Sequence, residues 1–414
     1  MNMSFVLVCL SLGGLAIVPV YASNGAVVLL MLGVLASWHF KANLQNIKSQ
    51  LFTSAGGFLI AFIAWVFISL LWSQVGLNGI WAAFSILLLC VAGFIFMGVI
   101  EALDSRQTRI AQTILMSAGV AMVSLFLFEH LTDGVFAKFL KGRTSSHMDF
   151  IGRGLSILIS VIWPVIALIL MRKGKRVWVA ILIAVAGATA YQYPNEAMFL
   201  GFAIGSFTFI AGLWMRRATV VFVFGVFMLF VITGPKIAHT IMNVPAVKAK
   251  AVSILGHRQH RLNIWEFVSS KVEDRPLVGH GFRMSRLFGA EENKYYLETR
   301  EQFGVSRWRL KLPLHPHNIS LQIWLELGLI GIILYLGIIF GICRIIWTWR
   351  GPPVWAAALG ASTASYLTVS SISLGAWQSW WLATAWLVAG IFVLVNKIPD
   401  LSSHTLPHPQ QDQV

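Results

Sequence analysis

Twelve apolar runs of about membrane length constrain this chain more than any other feature. Hydrophobic residues make up 57% of the 414 residues and charged residues only 11%, whereas a soluble domain has about 25% charged residues. We therefore predict an all-α integral membrane protein with about twelve transmembrane helices. The predicted spans are residues 4–20, 24–40, 55–73, 79–100, 109–129, 151–171, 177–191, 196–214, 217–234, 318–343, 352–371 and 378–396.

Basic residues predict the orientation of this bundle. If the N-terminus is cytoplasmic, the short loops on that side carry Lys and Arg, and the opposite short loops near 21–24, 73–78, 191–195 and 372–377 carry none. This positive-inside pattern predicts that both termini are cytoplasmic. The first span could instead be a signal peptide, since Val20-Tyr-Ala22 resembles a cleavage site. Its first residues carry no positive charge, so we expect a retained helix.

Two basic segments on the outer side break the charge pattern. The long loop at residues 235–317 holds 14 Lys/Arg against 7 Asp/Glu. The shorter loop near 130–150 includes Arg143, and Arg153 lies just inside the next span. Long loops escape the positive-inside rule, so a solvated domain touching anionic lipid is one interpretation. The clustering beside two histidines favours a phosphate-binding site.

The two histidines lie in the segment His315-Pro-His-Asn318, where the basic loop meets an apolar run. Asn318 is a good N-cap, which would place His317 at the positive end of a helix, near arginines. Both influences favour a neutral imidazole, the form that a general base requires. A structural pair of interfacial histidines is the alternative. A zinc site is a third possibility, although no other His or Cys has motif spacing to them.

The helix that follows carries a polar stripe. Asn318, Gln322 and Glu326 are spaced four apart, which puts them on one helix face. Such a buried carboxylate needs a cavity or a partner. Glu196 is a second acidic residue at a helix end on the outer side. For each carboxylate, pairing with an arginine and a direct catalytic role stay open.

Further candidates lie within the long loop. Arg258 and Arg261 stand just before or on an expected amphipathic helix. Downstream, Gly279 and Gly281 could let backbone amides approach an anion, with Arg286 nearby, although ordinary turns explain the glycines as well.

Together these motifs resemble the O-antigen ligase/polymerase superfamily. The resemblance rests on Arg261-x-x-x-Trp265, on Arg275-Pro-Leu-Val-Gly-His-Gly281, and on His315-Pro-His-Asn followed by Glu326-Leu-Gly-Leu-Ile-Gly331. It implies a GT-C-type fold with one long periplasmic loop containing short helices. It also implies an inverting, metal-independent glycosyltransferase without a cofactor.

The resemblance also implies roles for single residues. His317 becomes the expected acceptor-activating base, with His315 as a second catalytic candidate. Arg261 becomes a diphosphate contact, and Arg258, Arg143, Arg153 and Arg286 are further candidates. Many members carry a Ser-Arg-Gly arginine where this chain has Tyr191-Gln-Tyr-Pro-Asn-Glu-Ala197. Arg143 or Arg153 supplies the missing charge, or the donor or activity differs.

The resulting organisation has four parts: N-terminal transmembrane helices at 1–176, a ligase-like domain at 177–345, C-terminal helices at 346–398 and a cytoplasmic tail at 399–414. The expected partners are an undecaprenyl-diphosphate-linked glycan, a lipid A–core or glycan acceptor and the bilayer, without nucleic acid. We expect an inner-membrane enzyme with a periplasmic active site. A ligase, a polymerase of the same fold and a transporter or flippase remain open.

Overall fold

The computed structural model describes residues 2–38, 53–141, 148–172, 174, 176–193, 196–255, 259–291, 295–300 and 305–397. Each of the twelve predicted spans coincides with helix in this part of the chain. Among the described residues, six helical stretches are long and apolar enough to cross a membrane, and four shorter apolar helices accompany them. The chain is therefore a membrane protein, and twelve crossings stay a prediction.

The α-helices, in chain order, are α1 (Met3–Gly13), α2 (Val18–Tyr21), α3 (Gly25–Leu35), α4 (Ser54–Ser69), α5 (Leu77–Glu101), α6 (Ser105–Leu131), α7 (Val135–Lys141), α8 (Met148–Met171), α9 (Arg176–Gln192), α10 (Glu196–Thr219), α11 (Gly225–Asn243), α12 (Pro245–Leu255), α13 (Gln259–Asp274), α14 (Met284–Glu291), α15 (Ile319–Thr348), α16 (Pro353–Ile372) and α17 (Ser379–Asn396). Short 3₁₀ segments cover Gly14–Ala16 and Ala36–Trp38, and a π-helical turn at Val220–Phe224 joins α10 to α11.

The long loop also contains a short β-hairpin, which the sequence did not predict and which adds to the helical bundle. Strand β1 (Tyr295–Arg300) pairs antiparallel with β2 (Val305–Leu310), in a register that sets Tyr295 opposite Leu310. Both segments contain aromatic or β-branched residues, which favour strands. Apolar run length, the signal that predicts the spans, does not detect such a short extramembrane hairpin.

Helix α11 continues past the point where the sequence predicted a loop to begin. Pro235 lies inside α11, which runs on to Asn243. Proline has no N–H to donate to the carbonyl four residues earlier, here that of Val231. The Trp324 indole donates to that carbonyl instead, at 2.8 Å. A side chain of α15 thus satisfies the helix where its own ladder is interrupted.

Helix α15 is interrupted, although its sequence predicted one continuous span. Gly328 has φ 64° and ψ −162°, outside the helical region. Segment 276–281 lies in the break and pairs with the freed backbone groups. These hydrogen bonds are His280 N–H to Leu325 O (2.9 Å), Gly281 N–H to Glu326 O (2.8 Å) and Leu329 N–H to Pro276 O (2.8 Å). The two glycine-containing motifs of the sequence are therefore one structural unit.

Other contacts distinguish the two ends of the bundle. At the end that holds the histidines, the Ser73 hydroxyl donates to Phe282 O at 2.8 Å. At the opposite end, Arg216 donates to Trp349 O at 2.7 Å. The Lys397 ammonium also binds there, to the last carbonyls of α5 and the turn after it. These lysine and arginine contacts lie at the end for which the sequence predicted cytoplasmic loops.

Candidate functional site

A tight turn before α15 places His317 at the start of the helix. His317 has φ +54°, a left-handed conformation that non-glycine residues seldom adopt. Asn318 is the N-cap, and its side chain accepts the Leu321 N–H at 3.1 Å, as its sequence position predicted. On the other side, the Trp265 indole of α13 donates to Pro316 O at 3.0 Å. The turn is therefore held by two helices.

The hydrogen bonds of His317 define its tautomer. Nδ1 lies 3.0 Å from the Ser373 carbonyl oxygen, which can only accept. The neutral ring therefore carries its proton on Nδ1 and leaves a lone pair on Nε2. Among the described residues, Nε2 has no hydrogen-bond partner. This is the tautomer and the open nitrogen that a general base needs.

The surroundings of His317 favour its neutral form. Burial lowers the pKa of the imidazole, the hydrogen bond to the Ser373 carbonyl opposes that shift, and the charge of Arg261 lowers the pKa further. The net direction is downward from the usual 6.5. These surroundings favour the neutral imidazole, the form that was expected from the sequence.

His315 differs from His317 because both of its ring nitrogens are engaged. Nδ1 accepts the backbone N–H of His317 at 3.2 Å. Nε2 lies 3.2 Å from the Gln378 side-chain amide. Burial, followed by the nearby charges of His317, Arg286 and Arg153, lowers the pKa of His315 to about 3. His315 therefore lies beside His317 with neither of its ring nitrogens open.

Helices α8, α13 and α14 bring three of the candidate arginines to the histidines. Arg261 donates from Nη1 to Ile372 O at 2.6 Å, and its charge acts on His317. Arg286 and Arg153 are exposed, and both charges act on His315. The other two candidates, Arg143 and Arg258, lie outside the described residues.

The polar stripe of α15 binds the loop at residues 373–378, which connects α16 to α17. The Gln322 side chain accepts the Ala376 N–H at 2.8 Å. Glu326 accepts the Trp377 indole N–H at 2.7 Å. Gln322 and Glu326 also bond to each other at 3.1 Å, so they share a face as predicted. The stripe therefore fixes the loop whose Ser373 carbonyl sets the His317 tautomer.

The carboxylate of Glu326 is an anchor between elements. It is fully buried and accepts the Arg283 backbone N–H at 2.6 Å and the Ser285 hydroxyl at 2.5 Å, both at the start of α14. Its partners in the described structure are these groups with Gln322 and Trp377, rather than an arginine side chain. These bonds favour the structural role over the catalytic one.

The glycine motif does not form an anion cradle. The N–H groups of Gly279, His280 and Gly281 all donate to protein carbonyls, so none points at an open site. Gly279 has φ +70°, and a Cβ there would lie 2.5 Å from the Glu326 carbonyl oxygen. The two backbones pack so closely that only a glycine fits at this position. The glycine therefore serves the turn and its packing, rather than an anion site.

The remaining acidic candidate and the missing arginine both concern the start of α10. Glu196 is exposed and begins this helix, where a carboxylate interacts favourably with the helix dipole. Residues 194–195 lie outside the described part of the chain. Arg153 is the outer-loop candidate that the structure brings to the histidines.

Sequence reasoning missed the loop at 373–378. Four of its groups bond to the histidines or to their supporting stripe: the Ser373 carbonyl, the Ala376 N–H, the Trp377 indole and the Gln378 amide. The only signal was a polar interruption between two apolar runs, which we interpreted as an uncharged outer turn. A backbone carbonyl leaves no signature in the sequence.

The arrangement can take a proton from a hydroxyl and hold an anion next to it. His317 Nε2 supplies the base, and guanidinium groups supply positive charge. Within the described residues, no three His, Cys, Asp or Glu side chains are grouped to hold a metal ion.

The sequence of this chain is similar to those of known proteins. Residues 195–336 match a family model described as O-antigen ligase. A protein of Rickettsia conorii, provisionally named a polysaccharide ligase, is 29% identical over 345 residues, covering 82% of this chain and 78% of its own length. A relative from Rickettsia bellii with the same provisional name is 30% identical over 67% of this chain and 65% of its own length. The chain belongs to the O-antigen ligase superfamily.

Proposed function

We propose that this protein is a glycosyltransferase that moves a glycan from undecaprenyl diphosphate to a sugar hydroxyl of lipid A–core. The observation that carries the proposal is the geometry of His317. Its Nδ1 is committed to the Ser373 carbonyl, and its Nε2 has no protein partner in the described structure. The family match and the ligase names of the relatives support transfer of a polysaccharide.

The proposed reaction begins at the acceptor hydroxyl. Its proton passes to His317 Nε2 as its oxygen forms a bond to the anomeric carbon of the donor glycan. The bond from that carbon to the diphosphate oxygen breaks, and undecaprenyl diphosphate leaves from the opposite face. The anomeric configuration is therefore inverted. The Ser373 carbonyl stabilises the imidazolium that forms, because its hydrogen bond to Nδ1 strengthens with the charge.

The leaving diphosphate needs positive charge, and arginines supply it in this proposal. Arg261, Arg286 and Arg153 are the described guanidinium groups whose charges act on the two histidines. Guanidinium matches phosphate oxygens in a bidentate way, so charge stabilisation here needs no metal ion. Arg153 would replace the arginine that many members carry near the start of α10. Arg258 and Arg143 stay further candidates.

We further propose that the site faces the periplasm of the inner membrane and that both termini are cytoplasmic. The polyprenyl chain would lie between spans, and the long loop would cover the head group. The ligase-like domain at 177–345 would then require the C-terminal helices at 346–398, because Ser373 belongs to that part. A transporter would need a polar site near the membrane midplane, whereas the groups described here cluster at one end.

Glycan profiling of a deletion strain tests this function. We expect the strain to accumulate lipid-linked polymer and to lack capped core. The wild-type gene should restore capping, and His317→Ala should not, at equal protein level in the membrane. His239→Ala is the matched control because His239 binds Glu273 outside the site at 3.9 Å. Core capped with single units but no polymer would instead identify a polymerase, and an unchanged profile would exclude both.

A further inference from the structure

The backbone of His317 is the unusual part of the proposed base. A left-handed conformation at a non-glycine residue persists only when the surrounding structure holds it. The His317 N–H donates to His315 Nδ1 at 3.2 Å, and the preceding carbonyl, of Pro316, accepts the Trp265 indole at 3.0 Å. His315 therefore acts on His317 through the backbone.

Gln378 defines which ring nitrogen of His315 can accept that N–H. The Gln378 amide nitrogen lies 3.2 Å from His315 Nε2, while the buried Gln378 amide oxygen has no partner among the described residues. A half-turn of the amide exchanges its oxygen and nitrogen. In that orientation Nε2–H donates to the oxygen, and Nδ1 keeps the lone pair that accepts the His317 N–H. The Gln378 oxygen, both ring nitrogens of His315 and the His317 N–H then have partners, and the Gln378 amide nitrogen takes the position that the oxygen held.

The position of the His315 ring is also fixed by packing. A Cβ at Gly375 would lie 2.7 Å from His315 Cγ, so the ring occupies the space that a side chain there would fill. The ring centroids of His315 and His317 are 4.4 Å apart. A small movement of the His315 ring would therefore displace the neighbouring ring of His317.

We propose that His315 and Gln378 are positioning residues: Gln378 sets the His315 tautomer, and His315 holds the His317 backbone so that Nε2 faces the acceptor hydroxyl. This inference rests on the proposed function, since it assigns how the base of that reaction is aimed. Neither residue touches the reacting atoms. Gln378 lies outside the segment that matches the family model, residues 195–336.

Two isosteres of His315 separate this role from simple packing. The asparagine oxygen replaces Nδ1 and can accept an N–H two residues ahead, whereas the longer glutamine places its oxygen near the site of Nε2. We expect His315→Asn to retain a kcat within about tenfold of wild type, the effect of about one neutral hydrogen bond. The kcat of His315→Gln should be about tenfold lower than that of His315→Asn. The KM for the donor should change little in both.

A double-variant cycle tests the link to Gln378. Gln378→Ala should lower kcat about tenfold in the wild-type background, because His315 can then change tautomer. In His315→Asn the acceptor oxygen no longer depends on Gln378. The double variant should therefore be no slower than the slower single variant.

The experiment measures glycan transfer by the full-length protein in detergent, with melting temperatures recorded for every variant. The inference is overturned if His315→Gln equals or exceeds His315→Asn, if both are as inactive as His317→Ala, or if the Gln378→Ala and His315→Asn effects are additive. An active His317→Ala would instead overturn the proposed function itself.

Discussion

At the residue scale, the two histidines of one motif differ in their hydrogen bonds. The sequence predicted His317 as the base from its place beside a helix N-terminus. The reason for its tautomer is the Ser373 carbonyl, which lies far along the chain. Local spacing could nominate His317 as a candidate base but could not show which of its nitrogens is open.

The pH dependence of transfer tests the environment of His317. Because burial and Arg261 lower its pKa, the wild-type enzyme should lose activity, as Nε2 takes up a proton, only at a pH below that at which a free imidazole titrates. In Arg261→Gln one lowering influence is gone, so the acid limb should move to higher pH. Kcat measured across pH in both proteins gives the comparison. An unmoved limb would mean that Arg261 does not act on the base.

We propose that Arg153 supplies the positive charge of the arginine that the chain lacks near Asn195. If Arg153 holds the donor diphosphate, Arg153→Gln should raise the activation free energy of transfer by roughly 1.5–3 kcal/mol. The kcat/KM for the donor would then fall about ten- to a hundredfold. Arg153→Lys should restore only part of it, since lysine lacks the bidentate fork. Arg172→Gln is the matched control, because Arg172 binds Thr113 outside the site at 3.1 Å. Equal kcat/KM in the two glutamine variants would exclude Arg153.

At the element scale, the interrupted helix α15 is the feature that organises the site. The N-cap and the polar stripe were predictable because helix caps and four-residue spacing are local patterns. The break at Gly328 was not, because its freed groups are satisfied by segment 276–281, a long-range pairing. The hairpin of the long loop was missed for a different reason, since apolar run length does not detect a short hairpin outside the spans.

Substitution of the glycines tests this pairing. Gly279 and Gly328 have positive φ, and a Cβ at either would lie 2.5 Å from backbone atoms. Gly279→Ala and Gly328→Ala should each destabilise the protein by at least about 1–3 kcal/mol, the strain of a disfavoured backbone conformation. Gly57→Ala is the control, because it is helical and a Cβ there meets nothing within 4 Å. Melting temperatures in detergent that match this control would contradict the pairing.

At the scale of the whole molecule, apolar length and basic charge predicted the helical bundle and its two ends. Helices coincide with the predicted spans, and the histidines lie at the end opposite the Arg216 and Lys397 contacts. Segment boundaries alone could not show that α16 and α17 complete the site. That requires the packing of the 373–378 loop on α15.

Reporter fusions test the orientation. Fusions at Arg216 and Arg350 should report a cytoplasmic location. A fusion at Gln74 should report the periplasm, because the adjacent Ser73 binds Phe282 at the histidine end. Lys294, outside the described residues, should also be periplasmic. A cytoplasmic signal at Gln74 and Lys294 would remove the periplasmic enzyme from consideration.

The most direct test of the central claim is transfer by purified protein supplied with undecaprenyl-diphosphate-linked glycan and lipid A–core. We expect wild-type protein to transfer the glycan with equal rate in the presence and absence of EDTA. His317→Ala should be folded and slower by about 10²–10⁴, the usual contribution of a general base. His317→Ala activity within a few-fold of wild type, or wild-type activity lost in EDTA and restored by a divalent ion, would contradict the account.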